Sequence, residues 1–268
     1  MNYPHKFKQL IISAALSCLA LSAHAEINLG EVAMMANDAE TSPIPQGLVV
    51  GGVSLAYNAR YEGQANQVWL IPGFIYFGEQ LMFLGDRARY YLHKDQNLGV
   101  YAYGRVRVGN LNPADTPELA GMKKRQWQLE GGVGANWITP YAMITARVAS
   151  DITGTSNGQE ALLWADFPLV RDRLLIMPGM GVMWRSSNMA NYYFGGVSAA
   201  EASATRAQHD TGATLSPMAA LITSYRFNKN WLGMAVLNIE HFDADIANSP
   251  IVQHQNEFTF LAGVGYTW

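Results

Sequence analysis

The chain has 268 residues, enough for one large domain or two small ones. Its 18 lysines and arginines nearly balance 21 aspartates and glutamates, and the formal charge of −3 excludes a basic nucleic-acid-binding protein and an acidic disordered chain. Charged residues make up 15%, against about a quarter in soluble domains, while aromatic residues reach 11% and glycine 25 residues. These values favour a β-rich protein that is not surrounded by water on all sides.

The first 25 residues have the pattern of a secretory signal peptide. Two lysines precede an apolar run over 10–21, and residues 23–25 (Ala-His-Ala) have the form of a cleavage site. The run is short for a membrane anchor, which needs about 20 apolar residues. Cys18 leaves a lipoprotein alternative open, with acylation at that cysteine. We predict export and cleavage after Ala25, so that the mature chain begins at Glu26.

The mature chain has the character of a cell-envelope protein. The only cysteine lies in the leader, so no disulfide framework and no thiol chemistry remain. Loss of Lys6 and Lys8 with the leader lowers the formal charge from −3 to −5. No apolar stretch of 18 residues follows the leader, which excludes a membrane helix as an anchor.

Segments of about ten residues with alternating character fill the mature chain. In the last one, 258–268, the even positions are apolar and end in aromatic residues, while the odd positions are mostly small or polar. Trp127 and Trp137 stand at the two ends of another apolar stripe. Such a face points into the core of a soluble sandwich, or into lipid with aromatic girdles in an outer-membrane barrel. Arginines in mid-strand opposite these apolar faces favour the barrel.

The strand count predicts an all-β, antiparallel transmembrane β-barrel of about 12 strands, in residues 47–268. Single-chain bacterial barrels have an even number of strands, whereas the sequence gives eleven candidates. Residues 27–34, in an N-terminal segment over 26–46, are the best candidate for a twelfth strand, and merging two segments to give ten is the alternative. The eleven candidates are 48–57, 67–77, 80–91, 97–108, 126–137, 141–152, 158–168, 173–185, 211–226, 231–242 and 256–268.

The connections between these candidates alternate in length, which predicts an orientation. Short turns are periplasmic and long loops extracellular in such barrels, so the last strand should end at the periplasmic side. The short connections are 138–141, 170–173 and 227–230, and the long ones are 109–125, 186–210 and 243–255.

Prolines at positions 72, 178 and 217 fall inside strand candidates. Because proline cannot donate to a sheet ladder, each one predicts a bulge or a locally broken pair.

The last strand also has the form of the assembly signal that the barrel-assembly machinery reads. Phe260, Val264, Tyr266 and Trp268 share its apolar face and end at the C-terminus. We expect these side chains to face outer-membrane lipid and to drive insertion.

The sequence predicts no catalytic, cofactor-binding or metal-binding residues, and hence no enzyme. Four histidines remain in the mature chain, and no two have metal-ligand spacing. Neither a nucleophile elbow nor a phosphate-binding loop is present. His209 and Asp210 form a neighbouring pair, but they lack a nucleophile motif, and a solvated loop is the simpler interpretation.

Strand alternation points several charged side chains into the lumen. An arginine cluster there would suit an anion-selective pore, whereas a lattice of ion pairs would fill a narrow barrel, in which an unpaired charge is costly. We favour the filled interior. The candidate lumen charges are Arg105, Arg107, Glu130, Arg147, Asp166 and Arg185, with Arg87, Arg89 and Glu240 on the same inward face.

Four separated patches resemble the MipA/OmpV family of outer-membrane proteins in order and spacing. The resemblance runs from about residue 47 to the end. The patches are Leu119-Ala-Gly-Met-Lys-Lys-Arg125, Pro178-Gly-Met-Gly-Val-Met-Trp184, Tyr192-Tyr-Phe-Gly-Gly-Val-Ser198 with Glu201-Ala202, and Asn248-Ser-Pro-Ile-Val252 leading into the final strand.

This resemblance implies location in the outer membrane and a non-catalytic role. Its namesake bridges a membrane-bound lytic transglycosylase and a bifunctional murein synthase, so the implied function is a scaffold for peptidoglycan-cleaving and peptidoglycan-building enzymes. The alternative is a narrow channel for small, including anionic, solutes. No nucleic-acid partner is expected.

Overall fold

The computed structural model describes residues 42–268 and, ahead of them, Asn28, Leu29 and Val32. Within this part of the chain, thirteen strands form one sheet. Their bounds are β1 (Gly47–Tyr57), β2 (Gln67–Phe77), β3 (Leu81–Leu84), β4 (Arg87–Lys94), β5 (Leu98–Arg107), β6 (Gln128–Ile138), β7 (Met143–Asp151), β8 (Gln159–Asp166), β9 (Leu169–Arg171), β10 (Leu174–Arg185), β11 (Thr214–Arg226), β12 (Trp231–His241) and β13 (Asn256–Thr267).

The sheet closes on itself into an antiparallel barrel. Strands pair in chain order, and β13 pairs with β1 from Val49↔Thr267 to Tyr57↔Thr259. β8 and β9 lie end to end against β10, opposite residues 179–185 and 174–176, so together they occupy one position in the wall. The described strands therefore make a twelve-stranded barrel, and the predicted fold class is confirmed.

The twelfth strand is not the one that the sequence suggested. The candidate 80–91 forms two strands, β3 and β4, joined by a tight turn in which Gly85 has φ +73°, a conformation that favours glycine. The ring closes without residues 27–34, of which Leu29 and Val32 are helical. The other residues of that candidate, and the predicted leader with its cleavage site, lie outside the described residues.

The three strand prolines differ in their surroundings. Pro178 lies where the neighbour of β10 changes from β9 to β8, a local break of the kind that the sequence predicted. Pro72 and Pro217 keep their register, opposite Gly52 and Val182 respectively. The backbone thus tolerates these prolines without losing barrel closure.

The outer surface is apolar where the sequence predicted lipid contact. On β13, Phe258, Phe260 and Val264 are exposed, while the intervening Thr259 and Leu261 are buried. Trp127 and Trp137 are exposed at opposite ends of β6. The alternation follows from the period of two in a strand, which places successive side chains on opposite faces of the wall.

The interior has two layers of different chemistry. Barrel interiors are commonly polar, yet the half nearer the short turns is filled by inward apolar side chains. Most of the buried ionised groups lie in the half nearer the long loops, although Asp166 and Arg89 lie level with the apolar layer. The apolar layer includes Phe77, Met82, Leu84, Ile138, Met143, Leu175, Met177 and Ile222.

The long loops carry short helical segments: a 3₁₀ turn (Pro117–Leu119), α1 (Ser187–Ala190), a single turn of π-helix (Asn191–Gly195) and α2 (Ala244–Ala247). No helix in the part of the chain that the structure describes has the length and apolar character to cross a bilayer.

Candidate functional site

All six predicted lumen charges lie on the inner face of the wall, and none is more than 4% exposed. They come from different strands: Arg105 and Arg107 from β5, Glu130 from β6, Arg147 from β7, Asp166 from β8 and Arg185 from β10. An ionised group at this depth is costly unless it is paired. Their partners therefore determine what the lumen can do.

One cluster of charges spans four neighbouring strands, β5 to β8, around Glu160 of β8. Arg107 donates to the carboxylates of both Glu130 and Glu160. Arg147 Nη2 donates to Glu160 Oε1 at 3.2 Å, and Arg105 Nη1 lies 3.9 Å from the same oxygen. Glu160 thus holds three guanidinium groups together in the middle of the barrel.

Two further acids complete the ionic layer. Asp86 accepts from Arg87 Nε at 2.8 Å and from Arg105 Nε at 3.1 Å. Glu240 accepts from Arg185 Nη1 at 2.5 Å and Nη2 at 3.0 Å, a bidentate pair that is shielded completely from solvent.

Sequence reasoning missed Glu160 and Asp86 as lumen residues. Glu160 has the same parity in its strand as Asp166, so the alternation could have identified it. Asp86 lies in the turn between β3 and β4, which the sequence interpretation had treated as a single strand.

Asp166 belongs to a different part of the lumen. It accepts from the Trp164 indole at 2.7 Å and from Asn28 Nδ2 at 2.5 Å. Asn28 also donates to Thr145 Oγ1 at 3.0 Å and accepts from Arg89 Nη1 at 2.9 Å. Asn28, which precedes the barrel in the chain, therefore lies in the lumen and bonds to the inner wall.

Other residues ahead of β1 fill the apolar layer. Leu29, Val32 and Ile44 are buried in the same cluster as the inward side chains of the wall. The carbonyl of Ser42 accepts from Arg226 Nη1 at 3.3 Å. These residues fill the end of the barrel that carries the short turns.

The long loops form a cap with an apolar core of its own over the opposite end. Arg60, just after β1, makes a bidentate pair with Glu257 at 2.8 and 2.9 Å and donates to the Tyr193 carbonyl at 2.9 Å. Its guanidinium lies 4.4 Å from the Phe194 ring centroid. Arg185, from the ionic layer, approaches the same ring at 3.9 Å. The cap is therefore packed directly on the charges of the lumen.

A second buried pair fixes the cap from within. Arg125 Nη1 donates to Glu201 Oε1 at 2.8 Å. Burial raises the pKa of the Glu201 carboxyl, but hydrogen bonds from Arg125, the Lys123 N–H and Ser198 outweigh it and hold the pKa at about 2. The pair therefore stays ionised at neutral pH.

Three of the four sequence patches that resembled a known family meet in this cap. Arg125 ends the first patch, and Glu201 follows the patch over 192–198. Ser249, in the patch over 248–252, donates to the Gly195 carbonyl at 2.6 Å. The remaining patch, over 178–184, lies in the wall on β10.

The pair of residues considered as a catalytic candidate does not form a site. His209 Nε2 lies 2.6 Å from the Asp245 carbonyl, whereas Asp210 accepts from Asn191 at 2.7 Å. Among the described residues, no group of three or more histidine and acidic side chains could hold a metal ion.

The residues predicted as an assembly signal lie at the end of β13. Phe260 and Val264 are exposed on the outer surface. The Tyr266 ring is 5.2 Å from that of Trp231 and 5.4 Å from that of Trp268, both in edge-on contact. These aromatic side chains form one cluster at the rim nearest the short turns.

Comparison with known proteins identifies the relatives of this chain. It is 24% identical to the MltA-interacting protein of Escherichia coli K12 over 78% of this chain and 84% of that protein. It is 26% identical to the outer membrane protein Omp26La of Vibrio anguillarum, over 63% and 65% of the two chains. The solved structure of OmpT, an outer membrane protein of Vibrio cholerae, matches with a TM-score of 0.39 and 11% identity, over 87% of this chain and 99% of that one.

The family model for the MltA-interacting protein MipA matches residues 51–268. This range covers nearly the whole barrel, from within β1 to the C-terminus. The chain is an outer-membrane protein that belongs to the MipA family.

Proposed function

We propose that this protein is a non-catalytic scaffold that holds a lytic transglycosylase and a bifunctional murein synthase together at the outer membrane. The observation that carries the proposal is the occupied lumen. A barrel whose interior is filled from one side and capped on the other acts through its end surfaces. The name of the Escherichia coli relative, an MltA-interacting protein, supports this kind of partner.

The ionic layer argues against the channel alternative. A hydrated ion that passed between these charges would have to separate Arg107 from Glu130 and Glu160, or Arg185 from Glu240. Breaking one such buried pair costs about 3–5 kcal/mol. The Phe194 ring lies above the same arginines and narrows the path further.

Murein enzymes would meet the end of the barrel that carries the short turns. Tyr141, in the turn between β6 and β7, is 86% exposed there. Exposed aromatic side chains are frequent anchors of protein interfaces. Arg171 and Arg173 add positive charge beside β9 at the same end.

The test compares a lumen variant with a surface variant. Full-length protein, the double variant Arg105→Gln/Arg107→Gln and the variant Tyr141→Ala are purified from outer membranes, and folding is verified by heat-modifiable gel migration. We expect murein enzymes to co-purify with the unmutated protein and with the lumen variant, and to be reduced with Tyr141→Ala.

Planar-bilayer recording on the same samples tests the alternative. The scaffold hypothesis predicts no defined conductance steps from unmutated protein. It is wrong if the protein conducts with an ion selectivity that the lumen variant changes, and if no murein enzyme co-purifies even from unmutated cells.

A further inference from the structure

Trp69 on β2 is more accessible than its place in the wall predicts. It lies opposite Leu55 in the β1–β2 register, so its side chain shares the inner face with Leu55 and Ile71. Those two neighbours are 1% and 5% exposed, whereas Trp69 is 51% exposed. A tryptophan that faces the inside of a packed barrel and remains half exposed must border an open space.

That space exists because β3 is short. β3 pairs with β2 only at residues 75–77, since it ends at Leu84. Among the described strands, none lies beside Trp69 on that side. Val108 and Asn110, just after β5, line the other side of this gap. A cavity of about 540 Å³ remains between these elements, at the end of the barrel that bears the long loops.

The cavity floor is electrically neutral. Arg60 and Glu257 line it, but they make a bidentate pair through Nε and Nη2 of the guanidinium. The remaining nitrogen, Nη1, donates to the Tyr193 carbonyl. Asp115 is the remaining charged residue of the lining. A phosphate or carboxylate ligand would therefore meet no available cation and would face a negative charge.

The rest of the lining combines aromatic and amide groups. Tyr57 accepts a hydrogen bond from Trp69, which orients the two side chains at one wall. Gln64, Gln67 and Asn110 supply amide side chains around them. Such groups both donate and accept hydrogen bonds, and the negative face of an aromatic ring attracts C–H groups.

We propose that this cavity binds a neutral hexose unit of a saccharide at the extracellular surface. A hexose presents a C–H face that can pack on the Trp69 indole and hydroxyl groups that match the amides and the Asp115 carboxylate. The volume lies within the range of about 300–1,000 Å³ for small-molecule sites. This site is independent of the proposed scaffold function, because it lies at the opposite end of the barrel from the short turns.

The test measures saccharide binding to the full-length protein in detergent by calorimetry and saturation-transfer NMR. The probes are neutral hexose disaccharides, the core oligosaccharide released from rough lipopolysaccharide, and intact rough lipopolysaccharide. We expect saturable binding of a free sugar, weakened about tenfold by Trp69→Ala, as for a central aromatic anchor. Asp115→Ala, a change in an exposed loop, should weaken binding more modestly.

Trp127→Ala is the matched control, because this exposed tryptophan lies at the same end of the barrel but outside the cavity. It should leave binding unchanged. If only intact lipopolysaccharide binds and neither cavity variant weakens it, the contact is with the lipid and the proposal is wrong. An absence of saturable binding by every probe also overturns it. If Trp69→Ala fails heat-modifiable migration, Asp115→Ala decides the outcome.

Discussion

Glu160→Gln should destabilise the barrel strongly while barely changing its shape. The carboxylate of Glu160 faces three guanidinium groups, of which Arg147 and Arg105 lie 3.2 and 3.9 Å away. At an effective dielectric of about 20, each attraction at about 4 Å is worth about 4 kcal/mol. Removing the carboxylate also removes the cost of its desolvation, which offsets part of the lost attraction. We therefore expect a net loss of about 3–5 kcal/mol, as for a broken buried pair.

The measurement is urea unfolding in lipid vesicles, followed by tryptophan fluorescence and by heat-modifiable migration. Glu79→Gln is the matched control, because it makes the same substitution in an exposed turn and should change the free energy of unfolding by less than about 0.5 kcal/mol. A Glu160→Gln variant as stable as this control would refute the interpretation of the lumen charges as a mutually dependent lattice. Adding Arg147→Met should recover part of the loss, because one stranded cation is removed.

Three further predictions concern other parts of the molecule. A cysteine pair replacing Asn28 and Thr145, whose Nδ2 and Oγ1 atoms are 3.0 Å apart, should crosslink in intact cells, since the mature chain has no other cysteine. Free labelling of both thiols would contradict the lumen position of Asn28. Because the folded pKa of Glu201 is lowered from 4.5 to about 2, its contribution to stability is present above pH 4.5 and is lost as the pH falls through about 2. Pepsin should therefore cleave the cap increasingly over that range, and Glu201→Gln should reduce this pH dependence. Deletion of Trp268 should lower the amount of protein in the outer membrane, measured by immunoblot of membrane fractions, because it removes the last aromatic residue of the rim cluster; unchanged amounts would argue against the assembly-signal assignment.

The period of two in hydrophobicity predicted most of the wall. It succeeded where one face meets lipid and the other meets buried polar groups, as on β6 and β13, because the two environments impose opposite chemistry on alternate residues. It failed at 80–91. There Met82 and Leu84 face inward on even positions, and Arg87 and Arg89 face inward on odd ones. That change of parity is the signal of the turn that separates β3 from β4.

The contents of the lumen were beyond a pattern of this kind. Asn28 bonds to Thr145 and Asp166, which are 117 and 138 residues away in the chain. No local periodicity encodes such a contact, because it depends on the closed geometry of the whole barrel. The apolar residues of the segment before β1 looked like a strand, since a short apolar run is compatible with either a strand or a buried helix. Whether such a run forms a strand or a helix depends on the residues that it packs against, not on the run itself.

The cavity beside Trp69 was equally hidden from the sequence. The residue alternates correctly within β2, and its exposure comes from the shortness of β3, the next strand in the chain. The lining also combines residues of β1 and β13 with residues that follow β5. Local pattern predicts which face a side chain occupies, whereas the neighbouring strand determines whether that face is covered.

The position of Arg60 links the cap to the completion of the barrel. Arg60 follows β1, while its carboxylate partner Glu257 lies on β13, and the two strands are neighbours only once the cylinder is closed. Tyr193, which accepts from the same guanidinium, comes from the loop between β10 and β11. A chain halted with this seam open therefore lacks the Arg60–Glu257 pair that helps to hold its cap. Its extracellular loops would be more accessible to proteases, so resistance of the cap to proteolysis distinguishes a closed barrel from an assembly intermediate.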